Sequence, residues 1–169
     1  ADENRVAIVE AGGIDPLLAL LQTSASGKAK EGSVRAIVAL TRQSVAIQQE
    51  VVTRGGIPLL AECLVASCTN AKQMIAAAEL CGLAARAMEQ LSDGGSSREE
   101  GVAHVYASNQ RAFADAGVFP CLVFMLGATD AQLQANAAGA LSGLVRGNFD
   151  NQVGVVIWSP PLLSPLLPL

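Results

Sequence analysis

NRVAIVEAGGIDPLLALL, residues 4–21, is the stretch whose reading decides the fold, because the chain uses its pattern again. Residues 47–64 read IQQEVVTRGGIPLLAECL, and residues 109–126 read NQRAFADAGVFPCLVFML. Each copy is a short apolar-periodic run, a glycine corner, and a second, more apolar run. Glycine closes a helix cheaply because it accepts the left-handed conformation. Proline in the first turn of the following helix sacrifices no hydrogen bond. The corner residues are therefore Gly12, Gly13, Gly55, Gly56 and Gly117, with Pro16, Pro58 and Pro120 opening the helices that follow. From Gly12 to Gly55 is 43 residues and from Gly55 to Gly117 is 62. Self-similarity at a period near 43 with this pattern predicts an all-α helical solenoid.

The remaining segments fill out each unit. After the first copy a polar link, TSASGKAKEG, leads to a third helix over 33–43 with Val34, Ile37, Val38 and Leu40 at helical spacing. In the second unit the third helix is expected from Ala71 to about Met88, and in the third from Asp130 to Arg146. The longer second spacing contains 19 extra residues, which the Gly-, Ser- and charge-rich stretch LSDGGSSREEGVAHVYASN takes up as a loop near 86–108. The units are then about 4–46, 47–108, 109–150 and a partial 151–158, within a repeat domain of 1–158. Residues 159–169 form a Pro/Leu-rich tail, since four prolines within nine residues forbid a continuous helix.

Composition narrows function. Hydrophobic residues make up 51% but aromatics only 4%, so the apolar mass is small and aliphatic and suits close helix packing. With 11 basic against 15 acidic residues, the chain lacks the basic footprint of a nucleic-acid binder. The 17 uncharged residues from Val153 to Leu169 carry too many prolines for a membrane span, so no direct membrane insertion is expected. Cys63, Cys68, Cys81 and Cys121 fall in apolar helical patterns with neither zinc nor disulfide-framework spacing. They read as free buried thiols in a reducing compartment, cytoplasmic or nuclear. The charged opening ADENR has no signal-peptide pattern, and a start at a repeat boundary without Met reads as a piece of a longer protein.

Catalysis finds no footing. The one histidine, His104, falls in the inserted stretch, and Glu99 and Glu100 point differently on any regular element. No GxGxxG, Walker-type or G-x-S-x-G pattern occurs, so no cofactor, metal or enzymatic activity is implied.

EAGGIDPLLALL, RGGIPLLAECL, DAGVFPCLVFML, VRAIVALT and ANAAGALSGLV together resemble the armadillo repeat over nearly the whole of 1–158. The resemblance implies a right-handed superhelix whose third helices line a concave groove that holds an extended peptide or partner protein. Importin-like members clamp the ligand backbone with asparagines in A-L-x-N-L, each following a tryptophan by four residues. Aligned here, the asparagine positions are Arg42, Gly82 and Gly143 and the tryptophan positions Val38, Ala78 and Gly139, so both ladders are absent and an importin-like cargo receptor is disfavoured. The groove residues that remain are Arg35, Arg42, Glu79, Asn136 and Arg146, and a guanidinium fork suits a carboxylate. The function expected is a non-enzymatic scaffold or adaptor for a protein or peptide partner. The alternative is a structural segment of a longer array, self-associating through uncapped ends.

Overall fold

Three helices of equal length, two of them capped by a side chain, organise the molecule. Ser26 accepts a hydrogen bond from the Ala29 amide (3.4 Å) and starts α3, Gly27–Thr41. Asp130 does the same for the Leu133 amide (2.9 Å) and starts α10, Ala131–Val145. Between them in chain order lies α7, Ala78–Ser92. Side-chain oxygens at these positions pair amides that a helix start leaves without partners. In this computed structural model the described residues are 2–93 and 100–158, with side chains described over 3–93 and 103–155.

The other helices complete the units. The first has α1, Asp2–Glu10, and α2, Ile14–Thr23. The second has α4, Val45–Thr53, α5, Gly56–Ser67, and a short α6, Ala71–Ala76, ahead of α7. The third has α8, Glu100–Asp115, and α9, Phe119–Leu126, ahead of α10, and α11, Phe149–Trp158, follows. The described residues contain helices and no strand, and α3, α7 and α10 pack side by side as successive layers. That stack of repeated layers is an α-solenoid, the class of fold expected.

Corners are made as the glycines require. Gly12, Gly55 and Gly117 have φ of +76°, +82° and +75°. Between α1 and α2 the chain turns through 68°. The second glycine of a pair answers a different need: a Cβ on Gly56 would lie 2.5 Å from Val51 Cγ1 and 2.8 Å from the Val51 carbonyl oxygen.

The core runs continuously between layers. Val34, Ile37, Leu60, Leu64, Met88, Leu91, Phe113, Leu122, Met125 and Leu144 are completely buried. Each such side chain contributes roughly 1.5–3 kcal/mol relative to exposure. Ala84, Ala85 and Ala87, also completely buried, keep α7 thin where α3 and α10 flank it.

Layers are also joined by buried amides. Gln48 Nε2 donates to the Thr41 carbonyl (2.9 Å), Asn109 Nδ2 to Leu91 (2.8 Å) and Asn151 Nδ2 to Leu144 (2.8 Å). In each case the first helix of one unit reaches the last turn of the preceding third helix, pairing a carbonyl that the helix end leaves open.

Three sequence expectations are corrected. The link before α3 is only 24–26, because Ser26 caps a helix that begins at Gly27. The third helix of the second unit is broken at Ala77 into α6 and α7. Near 86–108 there is not one loop: 86–92 finish α7, and 100–108 belong to α8, so His104 is an exposed helical residue. Thr41 lies 29 residues beyond Gly12 and Ser92 37 beyond Gly55, so eight of the extra residues precede Ser92 and are absorbed around α6. Tyr106, on the longer α8, is buried and donates to Gln48 Oε1 (2.7 Å), anchoring that helix on the unit before it. Finally, the segment 94–99 and the Pro/Leu-rich tail lie outside the described residues. Among the described residues, no single helix is long and apolar enough to cross a membrane.

Candidate functional site

Equal lengths fix the register of the three third helices. The thirteenth residues are Ala39, Gln90 and Gly143, and the ninth are Arg35, Arg86 and Gly139. Arg42 and Gly82 therefore do not share the depth of Gly143, and Val38 and Ala78 do not share that of Gly139. This corrects the alignment drawn from sequence. Neither corrected row holds an asparagine or a tryptophan.

Of the expected groove residues, two engage each other, Arg35 and Glu79, and the others meet residues outside that set. Arg35 Nη2 lies 2.7 Å from Glu79 Oε1, tying α3 to α7, with both side chains more than half exposed. Arg146, the residue after α10, lies 3.4 Å from Asp93 at the end of α7. Arg42 follows α3, and its carbonyl accepts from Arg5. Arg35 and Arg146 thus already have carboxylate partners. Exposed pairs of this kind contribute about 0–1 kcal/mol each, so they orient side chains more than they stabilise the fold.

Between α7 and α10 a cleft of about 210 Å³ is lined by Glu79, Gly82, Arg86, Asp130, Gln132 and Asn136, with Ala78, Leu83 and Leu133 as its apolar floor. Gln132 Nε2 donates to Asn136 Oδ1 (3.1 Å), which leaves the Asn136 amide group to face Gly82. The cleft exists because residue 82 has no side chain: a Cβ there would stand 2.8 Å from Asn136 Nδ2. Glu79 and Asn136 lie together here, while Arg35 touches it only through Glu79. Arg86, Gln132 and Gly82 were not among the groove residues expected from sequence. The eight-residue slip of register hid Arg86, whereas Gln132 shares one turn with Asn136 and was legible.

A second, apolar hollow of about 830 Å³ lies where α6, α9, α10 and α11 meet, lined by Met74, Ile75, Phe124, Leu126 and Val155. Among the described residues, no group of three His, Cys, Asp or Glu is placed to hold a metal ion.

The fold defines a helical repeat protein. Residues 1–42 and 108–146 match the family described as the Armadillo/beta-catenin-like repeat. Among solved structures it is similar to two engineered proteins, each 26% identical over 94% of this chain, with TM-scores of 0.72 and 0.73. It spans 56% and 33% of their respective lengths. A computationally designed armadillo repeat protein for modular peptide recognition aligns at 20% identity, covering 97% of this chain and 78% of that one, with a TM-score of 0.47. No curated protein sequence matches the chain.

Proposed function

We propose that this chain is a non-enzymatic interaction scaffold of the cytosol or nucleus, holding an extended segment of a partner protein across the α7–α10 cleft. The observation that carries the proposal is the cleft's mixed lining. Carboxamides at Gln132 and Asn136, carboxylates at Glu79 and Asp130, and the guanidinium of Arg86 surround a floor opened by Gly82. An extended peptide presents alternating main-chain donors and acceptors, and a carboxamide answers both. With Arg35 and Arg146 engaged by Glu79 and Asp93, the lining suits a peptide read through its main chain rather than a run of acidic residues.

Selection of a displayed library of random dodecapeptides on the immobilised protein tests this. Selected peptides are expected to bind the Gly82→Leu and Asn136→Ala variants at least tenfold more weakly. Equal binding to both variants overturns the proposal.

A second reading, contact with further repeats, is favoured by exposed apolar side chains on the first and last described helices. Val6 and Ile8 on α1 are 46% and 47% exposed, and Phe149 on α11 is 74% exposed. Under it, the chain self-associates in sedimentation, and Val6→Glu with Phe149→Glu renders it monomeric. A monomeric wild type refutes it.

A further inference from the structure

The four cysteines are free thiols, and two of them meet. Cys68 is the half-buried residue that ends α5, and Cys81 is a completely buried residue in the first turn of α7. Their sulfur atoms are 3.8 Å apart. A disulfide bond is about 2.05 Å long, so closing the gap needs a shift of roughly 1.8 Å, within reach of small side-chain rotations. Between the two cysteines the chain carries α6, with Met74 and Ile75 on the apolar hollow.

Cys121, on α9, is a third thiol near the pair. Hydrogen bonding to Cys121 and Cys81, reinforced by burial, holds Cys68 protonated far above the ordinary thiol range. Cys81 and Cys121 shift the other way, each through its hydrogen bond with Cys68. In the close pair either sulfur can donate to the other, and the thiolate is the form that reacts. Cys63 is buried elsewhere on α5, where burial raises its thiol.

We propose that Cys68 and Cys81 are a redox pair, closing to a reversible disulfide that fastens the α6 segment to α7. The oxidant is a peroxide. A thiolate attacks the O–O bond of hydrogen peroxide, giving a sulfenic acid and, with one proton, water. The second thiol gives up its proton and attacks that sulfur, so the S–S bond forms, the S–O bond breaks and a second water leaves. Two electrons pass from the sulfurs to the peroxide oxygens, and a dithiol returns them. Disulfides in reducing compartments are characteristically of this transient, sensing kind.

Trypsin separates the pair, since Lys72 lies between them: Cys68 falls in 55–72, Cys81 in 73–86 and Cys121 in 112–146. The full chain is treated with hydrogen peroxide, its residual thiols are alkylated, and its intact mass and tryptic peptides are measured. The expected result is loss of two hydrogens, a 55–72/73–86 cross-linked peptide, and reversal by dithiothreitol. The link persists in Cys63→Ser and Cys121→Ser and disappears in Cys68→Ser, whose half-buried site tolerates the change. Amide exchange over 71–76 slows about tenfold on oxidation. Four thiols still titratable after peroxide, a link to 112–146, or a link only between isotopically distinct copies would each overturn the proposal.

Discussion

Replacing Gln110 by Leu should cost about 2–4 kcal/mol, although neither residue is charged and the volume barely changes. Gln110 is buried, and its Nε2 lies 2.7 Å from the Gly143 carbonyl and 3.1 Å from those of Ser92 and Arg146. Its Oε1 accepts from Asn148 Nδ2 (3.2 Å). A carboxamide nitrogen has two hydrogens, so two of the three carbonyls are served at any instant. Leucine strands those two acceptors and the Asn148 donor. A buried group left unpaired costs about 1–3 kcal/mol, with the partly accessible ones at the low end. With a urea m-value of about 2 kcal/mol/M, the midpoint by circular dichroism should fall by roughly 1–2 M at constant slope. Gln134→Leu is the control: its amide also reaches a carbonyl, Leu126 at 3.1 Å, but in the open. Surface changes of that kind stay within about 0.5 kcal/mol. If the two variants unfold at the same urea concentration, the reasoning about buried amides fails.

Other perturbations follow from the same contacts. Gly56→Ala forces a Cβ against the Val51 carbonyl and should lose about 1–3 kcal/mol, read as a drop in Tm. Gly32→Ala, mid-helix with open space around it, should gain about 0.5–1 kcal/mol. Gln43 sits at φ +56°, where Gly147 stands after α10 at +68°. Gln43→Gly should therefore raise the denaturation midpoint, by up to about 1 kcal/mol, and a lowered midpoint contradicts the strain. Burial, and secondarily Asp93, raises the Tyr106 phenol above its ordinary value near 10. Its contribution is fully present below the unfolded pKa of about 10 and is lost as pH rises through the folded value. Tyr106→Phe should flatten that alkaline decline in a pH series of urea melts.

The corners were legible because their physics is local. A left-handed turn asks for glycine, and Gly12, Gly55 and Gly117 announce it without help from the rest of the chain. The break at Ala77 was not, for AKQMIAAAEL contains no glycine, proline or cap that would stop a helix. The segment ending α7 reads as loop because Gly and Ser follow it closely, although Met88 and Leu91 keep helical spacing and are buried. From that slip came the misplaced groove register and the missed Arg86. Asn109 and Gln110 open the third copy of the repeat in the sequence. That they reach into carbonyls 18 to 36 residues away depends on how layers stack, which no local pattern encodes.

Those same amides have a mechanical meaning. Hydrophobic contact between layers yields gradually, since sliding exchanges one apolar neighbour for another. A hydrogen bond from Asn151 to Leu144, or from Gln48 to Thr41, breaks within a fraction of an ångström and at a definite angle. Pulled from its two ends, the molecule should therefore behave less like an elastic ribbon than like a row of latches. Each layer stays rigid until its own amide lets go, and the extension then advances by one repeat.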